Sequence, residues 1–296
     1  MPMPFPFAPT ERRRPTVVLL HSSASSRRQW QELIELLEPR FELHAIDLHG
    51  HGSRPDWRGA APMTLADDAA LVEPLLAQAG AVHVVGHSYG AAVGVELARL
   101  HPDKVLSLAG YEPVLFRALL DDPASAAAAG RLVATFDFMR DRLGVGDASA
   151  AARRFIDFWS GDGAWDALPE GRRQALAPRM ASVLMQGDAL FRKTYDELGL
   201  ARLHLPMLLL SGSGTVEAAR RIGGLLRAAL PLAAHEALPR MGHMGPITHA
   251  PTVNARIARF LEAAACGRDP RAGFSAAGRA TRSPAPSSAG PATLRA

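Results

Sequence analysis

Residues 83–92 read HVVGHSYGAA, and the way this stretch must fold decides the architecture of the chain. Val82–Val85 is a short β-branched run of strand type. The residues after Tyr89 begin a helix whose Val93, Leu97 and Leu100 share one face, with Pro102 just beyond its end. Between them lies G-x-S-x-G. A strand that turns straight into a helix puts Ser88 on a strained corner, with Oγ projecting above the carboxyl edge of a sheet. Gly86 and Gly90 fit because side chains there would collide across so tight a turn. The Tyr89 amide then points from a helix N-terminus toward an oxygen that becomes negative during acyl transfer. A glycine-rich turn with an idle serine is the competing reading, and the flanking strand and helix weigh against it. Ser88 is the candidate nucleophile.

Outward from this corner, strand and helix patterns alternate. TVVLL (16–20) is a strand, and a helix follows in which Ser26 and Gln29 have capping-box spacing and Trp30, Leu33, Ile34 and Leu37 form one face. Phe41–Ile46 reads as a second strand, ending at Asp47. Thr64 caps a helix with Leu65, Ala69, Val72 and Leu76 on one side, and Pro74 is expected to kink or break it. Further strands are expected over Val105–Ala109, Met207–Leu210 and Leu232–Leu238. A last helix carries Val253, Ile257, Phe260 and Leu261 on one face. Strands separated by helices imply parallel pairing through right-handed crossovers.

The rhythm stops over residues 114–200, which have no strand-length β-branched run. They hold Phe136, Phe155, Phe158, Trp159, Trp165, Met180 and Met185 among helical sequence. Because strands resume afterwards, the segment reads as a helical insertion into one core (16–113 and 201–266). Its aromatics and methionines fit the insertion's own core and equally the underside of a substrate pocket. Residues 1–15 and 267–296 are rich in Pro, Ala, Ser and Gly without period, and are expected to be an unstructured arm and a disordered tail.

Bulk composition excludes several classes. The net charge of +4 resides in the tail, where Arg268, Arg271, Arg279, Arg282 and Arg295 face only Asp269. With no basic cluster on a folded element, no nucleic-acid partner is expected. One cysteine, Cys266, rules out an intrachain disulfide and a multi-cysteine metal site. The first residues carry prolines and charges without an apolar run, so they do not read as a secretory leader. No stretch reaches the roughly 20 apolar residues that span a bilayer. The expectation is a cytoplasmic protein without membrane partner, metal or cofactor that acts on a small molecule, with nothing to set an oligomeric state.

With the G-x-S-x-G corner in this context, the chain resembles the α/β-hydrolase family over roughly residues 16–263. HSSASS (21–26) matches the family's oxyanion loop, with Ser22 where glycine is common, and DLHGHG (47–52) resembles its Asp-x-x-Gly-x-Gly turn. MGHMGP (241–246) resembles its catalytic-histidine loop. The resemblance implies an α/β-hydrolase fold, a mostly parallel sheet flanked by helices, with a helical cap at 114–200. The family's first two antiparallel strands are expected to be short or absent, since few residues precede TVVLL. It also implies His243 as general base and the Ser23 amide as the second oxyanion donor beside Tyr89.

Of eleven histidines, His243 alone sits in a glycine-flanked loop after the last strand, completing the order nucleophile, acid, base. His49 and His51 lack a carboxylate or cysteine at metal-ligand spacing. His21 and His87 are expected to make structural hydrogen bonds around the loop and the corner.

The acid is less direct. In this family it commonly follows the strand that here reads MLLLSG (207–212), three residues after the glycine, but that position holds Thr215. Two carboxylates compete. Glu217 falls in the first turn of a helix, where the helix dipole already explains it. Glu112, in GYEPVLF (110–116), ends the strand beside the nucleophile's own, and Pro113 stops a helix from starting. Some α/β-hydrolases, haloalkane dehalogenases among them, carry their acid there. Glu112 is the favoured acid, and a Ser-His dyad stays open. The reaction expected is hydrolysis of an ester or related acyl bond of a small to medium apolar substrate through an acyl-enzyme. A carbon–carbon bond hydrolase and a non-catalytic ligand-binding member of the fold are the alternatives.

Overall fold

A computed structural model of the chain describes residues 13–192 and 199–274. Six strands form one sheet: β1 (Thr16–Leu20), β2 (Glu42–Ile46), β3 (Val82–His87), β4 (Val105–Tyr111), β5 (Met207–Gly212) and β6 (Ala234–Leu238). Around it lie α1 (Gln31–Leu37), α2 (Leu65–Ala69), α3 (Glu73–Ala79), α4 (Tyr89–Leu100) and α5 (Arg117–Asp121). They are followed by α6 (Ala126–Gly144), α7 (Ala148–Ser160), α8 (Glu170–Leu176) and α9 (Met180–Arg192). The last three are α10 (Glu217–Ala229), α11 (Gly245–Thr248) and α12 (Ala250–Ala265).

The strand order is β2-β1-β3-β4-β5-β6, and every neighbouring pair is parallel. This is the α/β-hydrolase arrangement, and among the described residues no antiparallel strand precedes β1. The order reverses between β1 and β3, which opens a crevice at the carboxyl ends of those strands. Ser23 follows β1 and Ser88 follows β3, so the topology alone brings the 21–26 loop beside the Ser88 corner.

The central strands β1 and β3, and all of β5 but Ser211, are buried along their length, which is why TVVLL and MLLL read as unbroken aliphatic runs. Val17, Leu19, Val85, Leu208 and Leu210 pack with Trp30, Leu33 and Leu37 around α1 and with Val253, Ile257 and Phe260 of α12. Val18, Leu20, Val84, Leu108 and Leu209 pack on the opposite side with α2, α4 and α10. Each such aliphatic side chain contributes about 1.5–3 kcal/mol of transfer free energy. Among the described residues, every regular element between β4 and β5 is a helix.

Local signals were realised unevenly. Thr64 donates from both its amide and its hydroxyl to Asp67 at 2.7 Å and starts α2. The helix breaks at a 3₁₀ turn over 70–72, and Pro74 falls in the first turn of α3, where its missing N–H costs nothing. The Ser26–Gln29 capping box does not form. The Gln29 carbonyl oxygen instead accepts from the Ser22 amide and hydroxyl at 3.1 and 3.0 Å, and its amide nitrogen donates to His87 at 3.1 Å. Gln29 thus ties the 21–26 loop to the Ser88 corner.

The carboxyl end also differs from expectation. The folded chain continues past 266: Pro270 and Phe274 are buried, Phe274 packs on Phe260 at 6.5 Å between centroids, and Arg259 lies over its ring at 4.6 Å. The physical reason is that Phe260 presents an apolar face that a single following aromatic can cover. The rest of the expected tail (275–296) and residues 1–12 of the expected arm lie outside the described residues. No described helix is long and apolar enough to cross a membrane.

Candidate active site

Ser88 has φ 55° and ψ −117°, a conformation that costs an L-residue about 1–3 kcal/mol. The surroundings force it. The Ser88 amide donates to the Tyr111 carbonyl at 2.9 Å, while its carbonyl accepts from Ala91 and Ala92 at 3.1 Å and so begins α4. The two glycines are obligatory for close approach. A Cβ on Gly86 would lie 2.5 Å from the Ala91 backbone, and one on Gly90 would lie 2.4 Å from the Leu20 carbonyl oxygen.

His243 comes to Ser88 on the loop between β6 and α11. Ser88 Oγ donates to His243 Nε2 at 2.9 Å, and His243 Nδ1 donates to Glu112 Oε2 at 2.7 Å. Ser88, His243 and Glu112 are all buried. The structure thus brings together the three residues singled out in the sequence, from the ends of β3 and β4 and the loop after β6. The His243 loop is held through its carbonyls: Tyr111 Oη donates to Gly242 at 2.7 Å, and His87 Nε2 donates to His243 at 2.8 Å.

Glu112 is fully occupied. Its Oε1 accepts the Gly212 amide at 2.8 Å, and Oε2 accepts the Thr215 hydroxyl at 2.7 Å besides the imidazole. Thr215, at the position where the family commonly has its acid, thus donates its hydroxyl to Glu112. Like Ser88, Glu112 has a positive φ (45°), which turns its side chain back across the ends of β4 and β5. Glu217 lies elsewhere. It pairs with Arg131 of α6 and, more loosely, with Arg220 and Arg221 at 3.9 and 3.7 Å. Its carboxylate is spent on the surface.

Burial pushes His21, His51 and His87, the histidines packed around the site, toward the neutral form. His21 Nδ1 donates to the Ser22 carbonyl at 2.7 Å, and Nε2 accepts the Leu48 amide at 3.1 Å. Burial, with His51 adding repulsion, lowers its pKa to about 4. Burial likewise pushes His87 well below its ordinary value, with repulsion from His243 as a lesser cause. His51 accepts the Ala24 amide at 3.0 Å and donates to the His49 carbonyl at 2.8 Å, and His49 leans on buried Asp68 at 2.8 Å. These contacts lock the 47–52 turn around the 21–26 loop, and among the described residues no group of three or more potential ligands is placed to hold a metal. Asp68 also accepts the Tyr89 hydroxyl at 2.8 Å, which burial makes a very weak acid.

Ser23 and Tyr89, the expected oxyanion donors, occupy the loop after β1 and the first position of α4. Among the described residues neither amide has a backbone acceptor. Ser22, Ser23, Ser88 and His243 open into a cavity of about 600 Å³, walled by Phe155, Ile156, Trp159, Leu176, Val216 and Met244. A nucleophile, a base with an oriented tautomer and unengaged amides at an apolar cavity are what acyl transfer requires.

Sequence reasoning missed Trp159, whose indole stacks on His243 with 4.2 Å between centroids, and Gln186, whose carbonyl oxygen accepts the Ser23 hydroxyl at 2.6 Å. Neither has a local signature. The vacated acid position at Thr215 was the one clue to a hydroxyl serving Glu112.

Comparison with known proteins bears on the same region. A model of the alpha/beta hydrolase family matches residues 17–285. A lipase of Mycobacterium tuberculosis, LipV, is 38% identical over 101 residues, which cover 33% of this chain and 37% of the lipase. A pimeloyl-[acyl-carrier protein] methyl ester esterase of Chromobacterium violaceum is 38% identical over 103 residues, or 35% of this chain and 39% of that protein. The matched segment thus spans well under half of these relatives. An esterase from Thermogutta terrifontis superposes with a TM-score of 0.67 at 22% identity, covering 85% of this chain and 91% of that one. An enol-lactonase from Burkholderia xenovorans gives 0.67 at 19% identity, with coverage of 85% and 94%, and both likenesses concern the fold.

Proposed function

This chain belongs to the alpha/beta hydrolase family, and from that premise we propose that it is a serine hydrolase cleaving an ester of a small to medium, largely apolar acid. The observation that carries the reading is the continuous chain Ser88 Oγ–His243 Nε2, His243 Nδ1–Glu112 Oε2, at 2.9 and 2.7 Å, facing an apolar cavity.

In this reading Ser88 Oγ attacks the ester carbonyl while its proton passes to His243 Nε2. Glu112 keeps Nδ1 protonated and stabilises the imidazolium that forms. The Ser23 and Tyr89 amides receive the carbonyl oxygen as it becomes negative. His243 then gives its proton to the leaving alcohol, which departs and leaves an acyl-Ser88. Water, deprotonated by the same imidazole, reverses these steps and frees the acid. No cofactor enters any step.

The relatives' names include a lipase, a methyl ester esterase and a putative carbamate hydrolase. These three names share hydrolysis and differ in the compound hydrolysed. The cavity favours acyl groups of several carbons over acetate, because its walls are aromatic and aliphatic. The non-catalytic alternative drew its support from the missing acid after β5, and Glu112 supplies a carboxylate to the same imidazole. The test is a ladder of p-nitrophenyl esters. We expect kcat/KM to rise from acetate to about hexanoate and then fall as the chain outgrows the cavity. Absence of hydrolysis along the whole ladder would refute the ester reading.

A further inference from the structure

Trp159 closes α7 and lays its indole on the imidazole of His243. The planes are inclined by 28° with 4.2 Å between centroids, so the contact is a stack. Phe116 lies nearly parallel to the same indole at 6.1 Å and 17°, and Phe158 meets it edge-on at 5.0 Å. Trp159 and His243 are 5% and 3% exposed, so almost no water reaches the contact. The end of α7 is itself fixed. Asp157 Oδ1 accepts the Trp165 amide at 2.8 Å, and Gly161, at φ 100°, turns the chain away.

We propose that Trp159 is a positioning residue for His243: it holds the imidazole plane on the line between Glu112 and Ser88 and stabilises the ring when it carries the proton of Ser88. The proposal rests on the serine-hydrolase reading of the site. Hydrogen bonds to Glu112 and Ser88 restrain the imidazole within its plane but resist tilting out of it weakly, and a face-on indole resists that tilt. The charge argument is separate. In the transition state the imidazole becomes a cation in a nearly dry site. Glu112 offsets that charge at one edge of the ring. The electron-rich indole face offsets it across the plane, and tryptophan is the side chain best suited to that role. Besides Glu112, the titratable ring near His243 is His87, 5.3 Å away and held neutral by burial, so no second cation opposes the effect. A residue of the helical segment between β4 and β5 thereby completes a site otherwise built on the sheet edge.

The experiment measures kcat and KM for p-nitrophenyl acetate and hexanoate with the native chain, Trp159→Leu, Trp159→Phe and Ser88→Ala. Loss of the stack in Trp159→Leu should lower kcat about 10- to 30-fold, the range of a desolvated cation–π contact. The loss should be equal on both esters with KM changed less than about twofold, since the reacting imidazole is shared. Trp159→Phe keeps an aromatic face and should retain kcat within about threefold of native. A merely structural wall of the pocket would behave otherwise: KM would rise with acyl length while kcat held. That pattern, or a native kcat in Trp159→Leu, overturns the proposal. Should Trp159→Leu fail to fold by circular dichroism, Trp159→Met, of similar reach and without a ring, replaces it under the same criteria. With Ser88→Ala inactive, a native kcat in Trp159→Leu overturns this proposal alone. An active Ser88→Ala overturns the hydrolase reading and this proposal with it.

Discussion

Replacing Glu112 by Gln removes one charge and keeps the shape, and the contacts around it allow the consequence to be worked out. The Gly212 amide donates to Oε1 at 2.8 Å and offers no acceptor. A Gln that turned its NH₂ toward Gly212 would set two donors against each other in a buried site, costing about 1–3 kcal/mol. The favoured orientation keeps oxygen toward Gly212 and points NH₂ at Thr215 and His243. The Thr215 hydroxyl can accept, but His243 Nδ1 can accept only after losing its proton. The imidazole then carries its proton on Nε2, the atom that must receive the proton of Ser88. A wrong tautomer at a triad histidine costs about 10⁴ in turnover elsewhere, and a fall of about 10³–10⁴ in kcat is expected here. The fold should survive, since the Gly212 contact is kept. Glu217→Gln is the control: its partners are surface arginines worth about 0–1 kcal/mol together, and kcat should not change. The assay is kcat for one ester at pH 7.5, after circular dichroism shows both variants folded. A Glu112→Gln retaining more than a tenth of native kcat would refute the reasoning and leave Ser88 and His243 as a dyad.

Other outcomes follow from the same structure. His21 and His83, lowered by burial to about 4, bind protons only in the unfolded chain between pH 6.5 and 4, so stability is lost as pH falls through that window. At pH 5 the loss is about 2 kcal/mol for each, so Tm should drop by about 8 °C or more from its value at pH 7.5, and an unchanged Tm contradicts the assignment. Gly90→Ala drives a Cβ to 2.4 Å from the Leu20 carbonyl oxygen, and a destabilisation above about 3 kcal/mol should appear as a denaturation midpoint shifted far down or as insoluble protein. Phe274→Ala should cost about 2–3 kcal/mol by urea denaturation while leaving kcat untouched, whereas a neutral result would return the end of the core to residue 266.

The sequence was most legible where chemistry and chain path coincide. Ser88 could be read because a β-branched run and a helix flank it, and its glycines proved to be sites where a Cβ meets backbone. The place of Glu112 beside His243 could be anticipated because Pro113 blocks a helix and β4 lies beside β3. What escaped depends on residues distant along the chain. Gln29 has the spacing of a local cap, and nothing near it reveals that Ser22 and His87 compete for its amide. Trp159 is one of many aromatics in a helical stretch, and only the packing of α7 over the sheet edge brings it to His243. Thr215 showed where a carboxylate is missing, but its hydroxyl bond to Glu112 needs the β4–β5 register to be seen. Phe274 was hidden by its Gly- and Ala-rich surroundings, which carry no periodicity.

The central claim is that Ser88 is an activated nucleophile, and one measurement tests it directly. The native chain is treated with a fluorophosphonate and digested, and the adduct is located by mass spectrometry. The mass should fall on the peptide containing Ser88, and both Ser88→Ala and His243→Ala should remain unlabelled. Labelling of Ser88→Ala to the same extent as the native chain, or a native chain that does not react, would contradict the account.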